Sequence, residues 1–241
     1  MIPFLGPADP FPPVEHALDQ PNGLLAAGGT LTTRRLVDAY RRGIFPWFNE
    51  GDPVLWWSPD PRTVLRPSRV HVSHSLKKKL KKESFLVTFD RVFARVLEGC
   101  AAPRPGDSGT WLGMPMRRAY SALHGAGLAH SIEVWMDGEL AGGIYGVAIG
   151  RMFFGESMFS RRTDASKIAM VRLAAQLDRW GFPLVDCQLE TDHLRSLGAE
   201  TMPRPLFAAE VARLTALDGP KWEIDADLAG SAGHAPRTLA L

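Results

Sequence analysis

The residues best suited to chemistry are Asp186 and Gln188, in the segment Leu184-Val185-Asp186-Cys187-Gln188. The segment reads as a short apolar strand, and alternate side chains on a strand share a face. A carboxylate and an amide side by side can hold an amine and a carbonyl. Burial raises the pKa of a carboxyl group, which would turn Asp186 into a useful base. For a lone aspartate the structural reading would win; with Gln188 on the same face, both readings stand at this point. Glu156, in Gly155-Glu156-Ser157-Met158-Phe159-Ser160, is similar in kind. It interrupts a strand that opens with Met152-Phe153-Phe154 and should meet a cation, either a core arginine or a substrate.

Other chemistries find little support. Cys187 adjoins Asp186, but the next side chain on a strand faces the opposite way. No serine sits in a Gly-x-Ser-x-Gly elbow, and Gly142, Gly143, Gly146 and Gly150 do not spell a dinucleotide fingerprint. Two distant cysteines and scattered histidines predict no metal and no disulfide framework, which fits a reducing cytosol. The segment Arg161-Arg162-Thr163-Asp164-Ala165-Ser166-Lys167 contains no glycine. A turn that cradles the pyrophosphate of an acyl-CoA is built from backbone N–H groups and usually needs one.

Charge points to a polyanion. From Asp60 to Lys82 the net charge is +7 in a protein of net charge +2, so the remainder carries about −5. Lys77, Lys78, Lys79, Lys81 and Lys82 repel one another on one short helix, and a nucleic acid would relieve that cost. Trp47, Trp56 and Trp57 lie in proline-rich loops and Trp111 follows a polar one, where they could stack on bases.

These residues must be positioned by an α+β chain. Eleven of its nineteen prolines lie in the first 67 residues, so residues 1–62 should form a small irregular domain holding one helix, capped by Thr32 and ended by Gly43. Residues 63–220 alternate. Ser75 can cap the lysine helix, with Leu76 and Leu80 buried. Helices follow near 91–98 and 115–124. Strands near 131–136, 140–149 and 152–160 form a mainly antiparallel meander turned at Asp137-Gly138. Asp164 should cap a helix that ends at Gly181; the strand 183–188 follows, then a helical turn at 193–197 and a helix over 206–217. Residues 221–241, rich in Ala, Gly and Asp, read as a flexible tail. No signal peptide or membrane span is visible. Three antiparallel strands, a helix, a strand and a helix resemble the second half of an acetyltransferase-like (GNAT-like) domain.

In order along the chain, Pro21–Ala26, Tyr40–Phe48, Trp56–Arg62, Gly109–Trp111, His130–Trp135, Gly155–Ser160, Asp186–Gln188, Asp192-His193 and Ser196–Ala199 resemble the leucyl/phenylalanyl-tRNA–protein transferase family. The resemblance implies a cytoplasmic, monomeric enzyme without cofactor. It would move Leu or Phe, and sometimes Met, from aminoacyl-tRNA to proteins with N-terminal Arg or Lys, marking them for N-degron degradation. It implies Asp186 and Gln188 as the catalytic pair and Glu156 against the acceptor. Trp47 and Trp111 would bind the terminal adenosine. Ile144, Phe153, Met158, Leu173 and Leu177 would surround the donor side chain, and the five lysines would dock tRNA. Thr191 stands where some members carry Asn, and Leu173 and Leu177 replace aromatics of some members. Two rivals are an acyl-CoA-dependent GNAT enzyme and a non-catalytic RNA-binding module.

Overall fold

The structure, a computed structural model, describes residues 1–82, 84–103 and 112–230. The first sixty residues are more regular than their prolines predict. Strands β1 (Phe4–Leu5), β2 (Leu24–Gly28), β3 (Phe45–Pro46) and β4 (Leu55–Trp57) form a sheet in the order β1-β2-β4-β3. Each is two to five residues long, too short for an alternation to show in sequence, and Pro46 lies on the edge strand β3, where a missing N–H is harmless. Helix α1 (Thr33–Arg41) lies between β2 and β3. Thr32 caps it by accepting from the Arg35 N–H at 3.3 Å, and Gly43 follows at φ +71°.

The chain then builds a seven-stranded sheet. Its elements are β5 (Arg62–Leu65), α2 (His74–Lys82), β6 (Leu86–Phe89), α3 (Phe93–Ala101), α4 (Met114–Gly125), β7 (Ala129–Met136) and β8 (Glu139–Ile149). They continue with β9 (Met152–Ser160), α5 (Ala165–Arg179), β10 (Leu184–Gln188), α6 (Asp192–Ser196), β11 (Glu200–Met202) and α7 (Arg204–Thr215). The strand order is β11-β5-β10-β9-β8-β7-β6, and every pairing is antiparallel except β9 with β10. The β7–β8 turn has Asp137 at φ 53° and Gly138 at φ 78°, the left-handed pair that a two-residue hairpin requires.

Alternation along the strands feeds two cores. Val64, Tyr145, Val147 and Phe154 face one cluster shared with α1, α3, α4, α7 and the first sheet; Leu65, Ile144, Phe153 and Val185 face the other, under α2 and α5. No described helix is long and apolar enough to cross a membrane.

Three expectations are corrected. Ser73, not Ser75, caps α2, accepting from the Leu76 N–H at 3.3 Å. Asp164 precedes α5 in a left-handed conformation (φ 68°) without capping it, because Lys79 takes its carboxylate at 2.9 Å. Residues 221–230 are docked rather than loose. Trp222 stacks on His130 with ring centroids 4.0 Å apart and on Phe153 at 5.7 Å. Arg179 grips Asp225 and Asp227 at 2.7 Å each, and Leu228 is buried. Composition concealed this because one tryptophan and two ion pairs outweigh the small residues around them. Residues 231–241 lie outside the described residues.

Candidate active site

The parallel strands β9 and β10 pair only from Leu184–Met152 to Asp186–Phe154, then part. Each carries an extra residue at that point. On β9, Gly155 and Ser157 oppose Gly146 and Tyr145 of β8, so Glu156 is the bulged residue. On β10, Asp186 and Gln188 oppose Val64 and Thr63, so Cys187 is. Bulges re-aim side chains. Here they turn Glu156 and Gln188 toward each other across the split, with Gln188 Nε2 donating to Glu156 Oε1 at 3.3 Å. Gly146 permits the first bulge: a Cβ there would overlap the Phe154 carbonyl oxygen and the Phe153 ring.

Asp186 and Gln188 therefore do not share a face by simple alternation, as the sequence implies. Asp186 is fully buried and joins Arg62, at the start of β5, in a bidentate pair with Nε–Oδ1 and Nη2–Oδ2 both 2.7 Å. Arg62 also donates to the Gly43 carbonyl at 3.2 Å and lies between the rings of Phe45 and Phe207, each 4.7 Å away. Asp186 Oδ1 accepts in addition from the Gln188 N–H at 2.9 Å. That bond holds Gln188 at φ 62°, a conformation uncommon for a residue with a Cβ. Asp186 anchors the backbone that presents Gln188. With both oxygens filled by charge-assisted donors, it is poorly placed to act as the base that a buried lone aspartate could be.

Of the two cations its sequence context allows, Glu156 has no direct ion pair with a core arginine among the described residues; hydroxyls hold its oxygens instead. Oε1 accepts from the Tyr40 hydroxyl at 2.7 Å and Oε2 from the Tyr120 hydroxyl at 2.5 Å, while the two hydroxyls are 2.9 Å apart. Tyr40 comes from α1 and Tyr120 from α4, and both are fully buried. Burial pushes the Glu156 carboxyl up to about 7; the two phenol donors, with Arg62 beyond them, offset part of that rise, and the Asp186 charge adds to it. Burial and then the Glu156 charge push both phenols well above their ordinary value. Glu156 is half-buried and lines an open cleft of about 730 Å³ with Ser157, Arg161, Ser166, Thr191 and His193. Thr191 caps α6, accepting from the Leu194 N–H at 3.2 Å.

Beside Gln188 lies a smaller, mostly apolar cavity of about 80 Å³ lined by Ile144, Met158, Met170, Val185, Cys187 and Leu194, with Glu156 at its rim. Of the five sequence-predicted pocket residues, Ile144 and Met158 line it; Phe153, Leu173 and Leu177 are fully buried behind it. Met170, Val185 and Leu194 were not legible as lining, although Met170 lies on the apolar face of α5. The Cys187 thiol, at the same wall, is pushed up by burial and by the Asp186 charge, which suppresses its thiolate.

The remaining predicted residues are dispersed. Trp47 is 42% exposed beside Trp57, ring centroids 5.6 Å apart, and its carbonyl accepts from Trp57 Nε1 at 2.7 Å. Trp56 is buried, its indole donating to the Gly28 carbonyl, so it is core rather than a stacking platform. Trp111 lies outside the described residues. Lys77, Lys78, Lys81 and Lys82 are exposed, whereas Lys79 is a strut to Asp164 and the Thr163 carbonyl. In the turn before α5, the N–H groups of Arg161 and Arg162 both donate to the Ala141 carbonyl, at 2.7 and 3.1 Å, and that of Ser166 to Ser160 Oγ at 2.9 Å. These three backbone donors are bound within the protein itself. Among the described residues no group of three or more His, Cys, Asp or Glu side chains could hold a metal.

A family model described as leucyl/phenylalanyl-tRNA protein transferase matches residues 64–212, and a model of that family's N-terminal domain matches residues 29–60. Relatives carrying that description include one from Nitrosomonas europaea, 57% identical over 93% of this chain and 96% of its own length. Another, from Thiobacillus denitrificans, is 59% identical over 89% of this chain and 95% of its own. Among solved structures, a conserved protein of unknown function from Bacteroides thetaiotaomicron superposes with a TM-score of 0.38 at 11% identity, covering 56% of this chain and 53% of its own. That likeness is too distant to assign a fold type.

Proposed function

The chain belongs to the leucyl/phenylalanyl-tRNA–protein transferase family, and from that premise we infer that it moves a leucyl or phenylalanyl group from its tRNA ester to the α-amine of a protein beginning with Arg or Lys. The product would be a protein marked for degradation. The observation that carries the reading is the juxtaposition of Gln188 and Glu156 at 3.3 Å, where β9 and β10 part beside an apolar cavity. We further propose that residues 63–220 are a GNAT-like domain, in which such a split receives the acyl donor, and that residues 1–62 are a small N-terminal domain sharing a core cluster with it.

The donor is already activated as an ester. The acceptor α-amine has a pKa of about 7.7–8.0, so part of it is neutral at cellular pH. Positioning and the removal of one proton therefore supply most of the rate. Gln188 Nε2 is directed at Glu156, which leaves its carbonyl oxygen to accept from the incoming amine. Asp186 acts by holding Gln188, its own charge being met by Arg62. Glu156 receives the acceptor's N-terminal residue. The cavity beside Gln188 takes the donor side chain, with Ile144 and Met158 at its wall and Phe153, Leu173 and Leu177 setting its shape from behind. A pocket of this kind separates side chains by about 1–3 kcal/mol per methylene, so Met would be accepted as well. Trp47 and Trp111 stack on the terminal adenosine. Lys77, Lys78, Lys81 and Lys82 dock the tRNA, while Lys79 fixes their helix to the body.

The glycine-free turn, in which the N–H groups of Arg161, Arg162 and Ser166 are already bound, disfavours an acyl-CoA donor. The test is incubation of the protein with Phe-tRNA or Leu-tRNA and an Arg-initiated peptide. The expected product is the peptide extended by one residue. No product from either charged tRNA, or efficient transfer from an acyl-CoA, would overturn the reading.

A further inference from the structure

Resting on that transfer reaction, we propose that Glu156 is the group that takes the proton from the acceptor's α-amine, and that Tyr40 and Tyr120 are positioning residues that hold it for this task. Three donors occupy the carboxylate: Tyr40, Tyr120 and the Gln188 amide. A carboxylate has about four lone-pair sites, so one remains for an incoming N–H. All three donors are neutral. They fix the oxygens in space without the strong withdrawal of basicity that a guanidinium in direct contact imposes. Asp186, the other buried carboxylate of the site, is in that second situation, with Arg62 on both oxygens.

The groups facing Glu156 come from every element packed around it. They are Tyr40 on α1, Tyr120 on α4, Tyr145 on β8, Gln188 and Asp186 on β10, and Arg62 on β5, with Arg161 after β9 and His193 on α6 lining the same open cleft. One of the two phenols thus comes from the first sixty residues, which gives that part of the chain a share in the chemistry besides stacking. The step balances without a cofactor. The amine nitrogen attacks the ester carbonyl as its N–H proton passes to Glu156; the bond from the acyl carbon to the ribose oxygen breaks; and Glu156 returns the proton to that oxygen, leaving an amide and a free hydroxyl. A carboxyl titrating at about 7 is closely matched to an α-ammonium that titrates at about 7.7–8.0.

The experiment is transfer from Phe-tRNA to an Arg-initiated peptide across pH for the wild type, Glu156→Gln, Tyr40→Phe and Tyr120→Phe, with tRNA binding and thermal unfolding checked for each. Glu156→Gln is expected to lower kcat by about 10²–10⁴-fold, with the peptide KM changed only a few-fold. Each phenylalanine variant removes a donor that favours the ionised carboxylate, so the acid limb of the kcat profile should move to higher pH. The peptide amine titrates identically in every variant and cannot produce that displacement. Should Tyr40→Phe fail to fold, Tyr120→Phe, on another helix, decides the point. If Glu156→Gln raises KM at unchanged kcat, Glu156 pairs with the acceptor's charge and the inference falls. It falls equally if the acid limb stays in place in the phenylalanine variants. If the wild type itself makes no product, it is the transferase reading that fails instead.

Discussion

Arg62 and Asp186 meet through two parallel hydrogen bonds of 2.7 Å, their side chains 1% and 0% exposed. Removing one partner strands a buried charge, which typically costs about 3–5 kcal/mol, whereas replacing both with apolar groups costs far less. Arg62→Met and Asp186→Leu should each lower stability by about that amount in urea unfolding, and the double variant should recover most of it. Transfer should stay low in the double variant, because the Gln188 N–H has still lost its acceptor. Equal destabilisation by the double variant and the summed singles would mean that the two charges act independently.

Asp186, Gln188 and Glu156 were legible in the sequence because polar residues interrupting apolar strands are conspicuous. Their partners were not. Arg62 lies 124 residues from Asp186, and Tyr40 lies 116 from Glu156. Nothing in a local pattern links such pairs; the neighbouring strands β5 and β10 bring the first together, and the packing of α1 on the sheet the second. The bulges at Glu156 and Cys187 were hidden for a related reason, since a bulge is a relation between two strands rather than a property of one. The long meander and every helix but the five-residue α6 were readable because their period repeats over eight or more residues. The first sheet was not, because none of its strands exceeds five.

The buried Glu156 carboxyl should leave a signature in stability. Its pKa rises on folding from an ordinary 4.5 to about 7. The folded state then binds the proton more tightly than the unfolded state, so the associated stability is complete below about pH 4.5 and is lost as pH rises through 7. Glu156→Gln, which cannot ionise, should match the wild type in melting temperature near pH 4.5 and exceed it increasingly up to pH 8, by up to about 3 kcal/mol. A constant difference across that range would show that Glu156 does not titrate between those limits.

The lysine helix should act through phosphates. Neutralising Lys77, Lys78 and Lys81 should weaken tRNA binding and reduce the slope of log K against log salt by about two to three. Lys79→Gln should behave differently, because its ammonium is committed to Asp164 and the Thr163 carbonyl. Its main effect should be a lower melting temperature, with a slope nearly that of the wild type. Identical slopes for the triple variant and the wild type would remove the helix from the tRNA interface.

Trp222 tests whether the segment after Pro220 is part of the body. Its indole stacks on His130 and Phe153 and lies 4.9 Å from the Trp180 ring, while Asp225 N–H donates to Gln176 at 2.7 Å just beyond. Phe153 is the residue paired with Val185 on β10, so the tryptophan braces the back of the strand pair that opens at Glu156. Trp222→Ala removes a partly buried aromatic and should cost about 2–3 kcal/mol in denaturant unfolding. Truncation after Pro220 should cost at least as much, since it also removes both carboxylates that hold Arg179. In Trp222→Ala any change in transfer per folded molecule should appear in the KM for the aminoacyl donor, because the brace touches Phe153, behind the donor cavity, and not the carboxylate or the amide. Wild-type stability in the truncated chain would return this segment to the status of a tail.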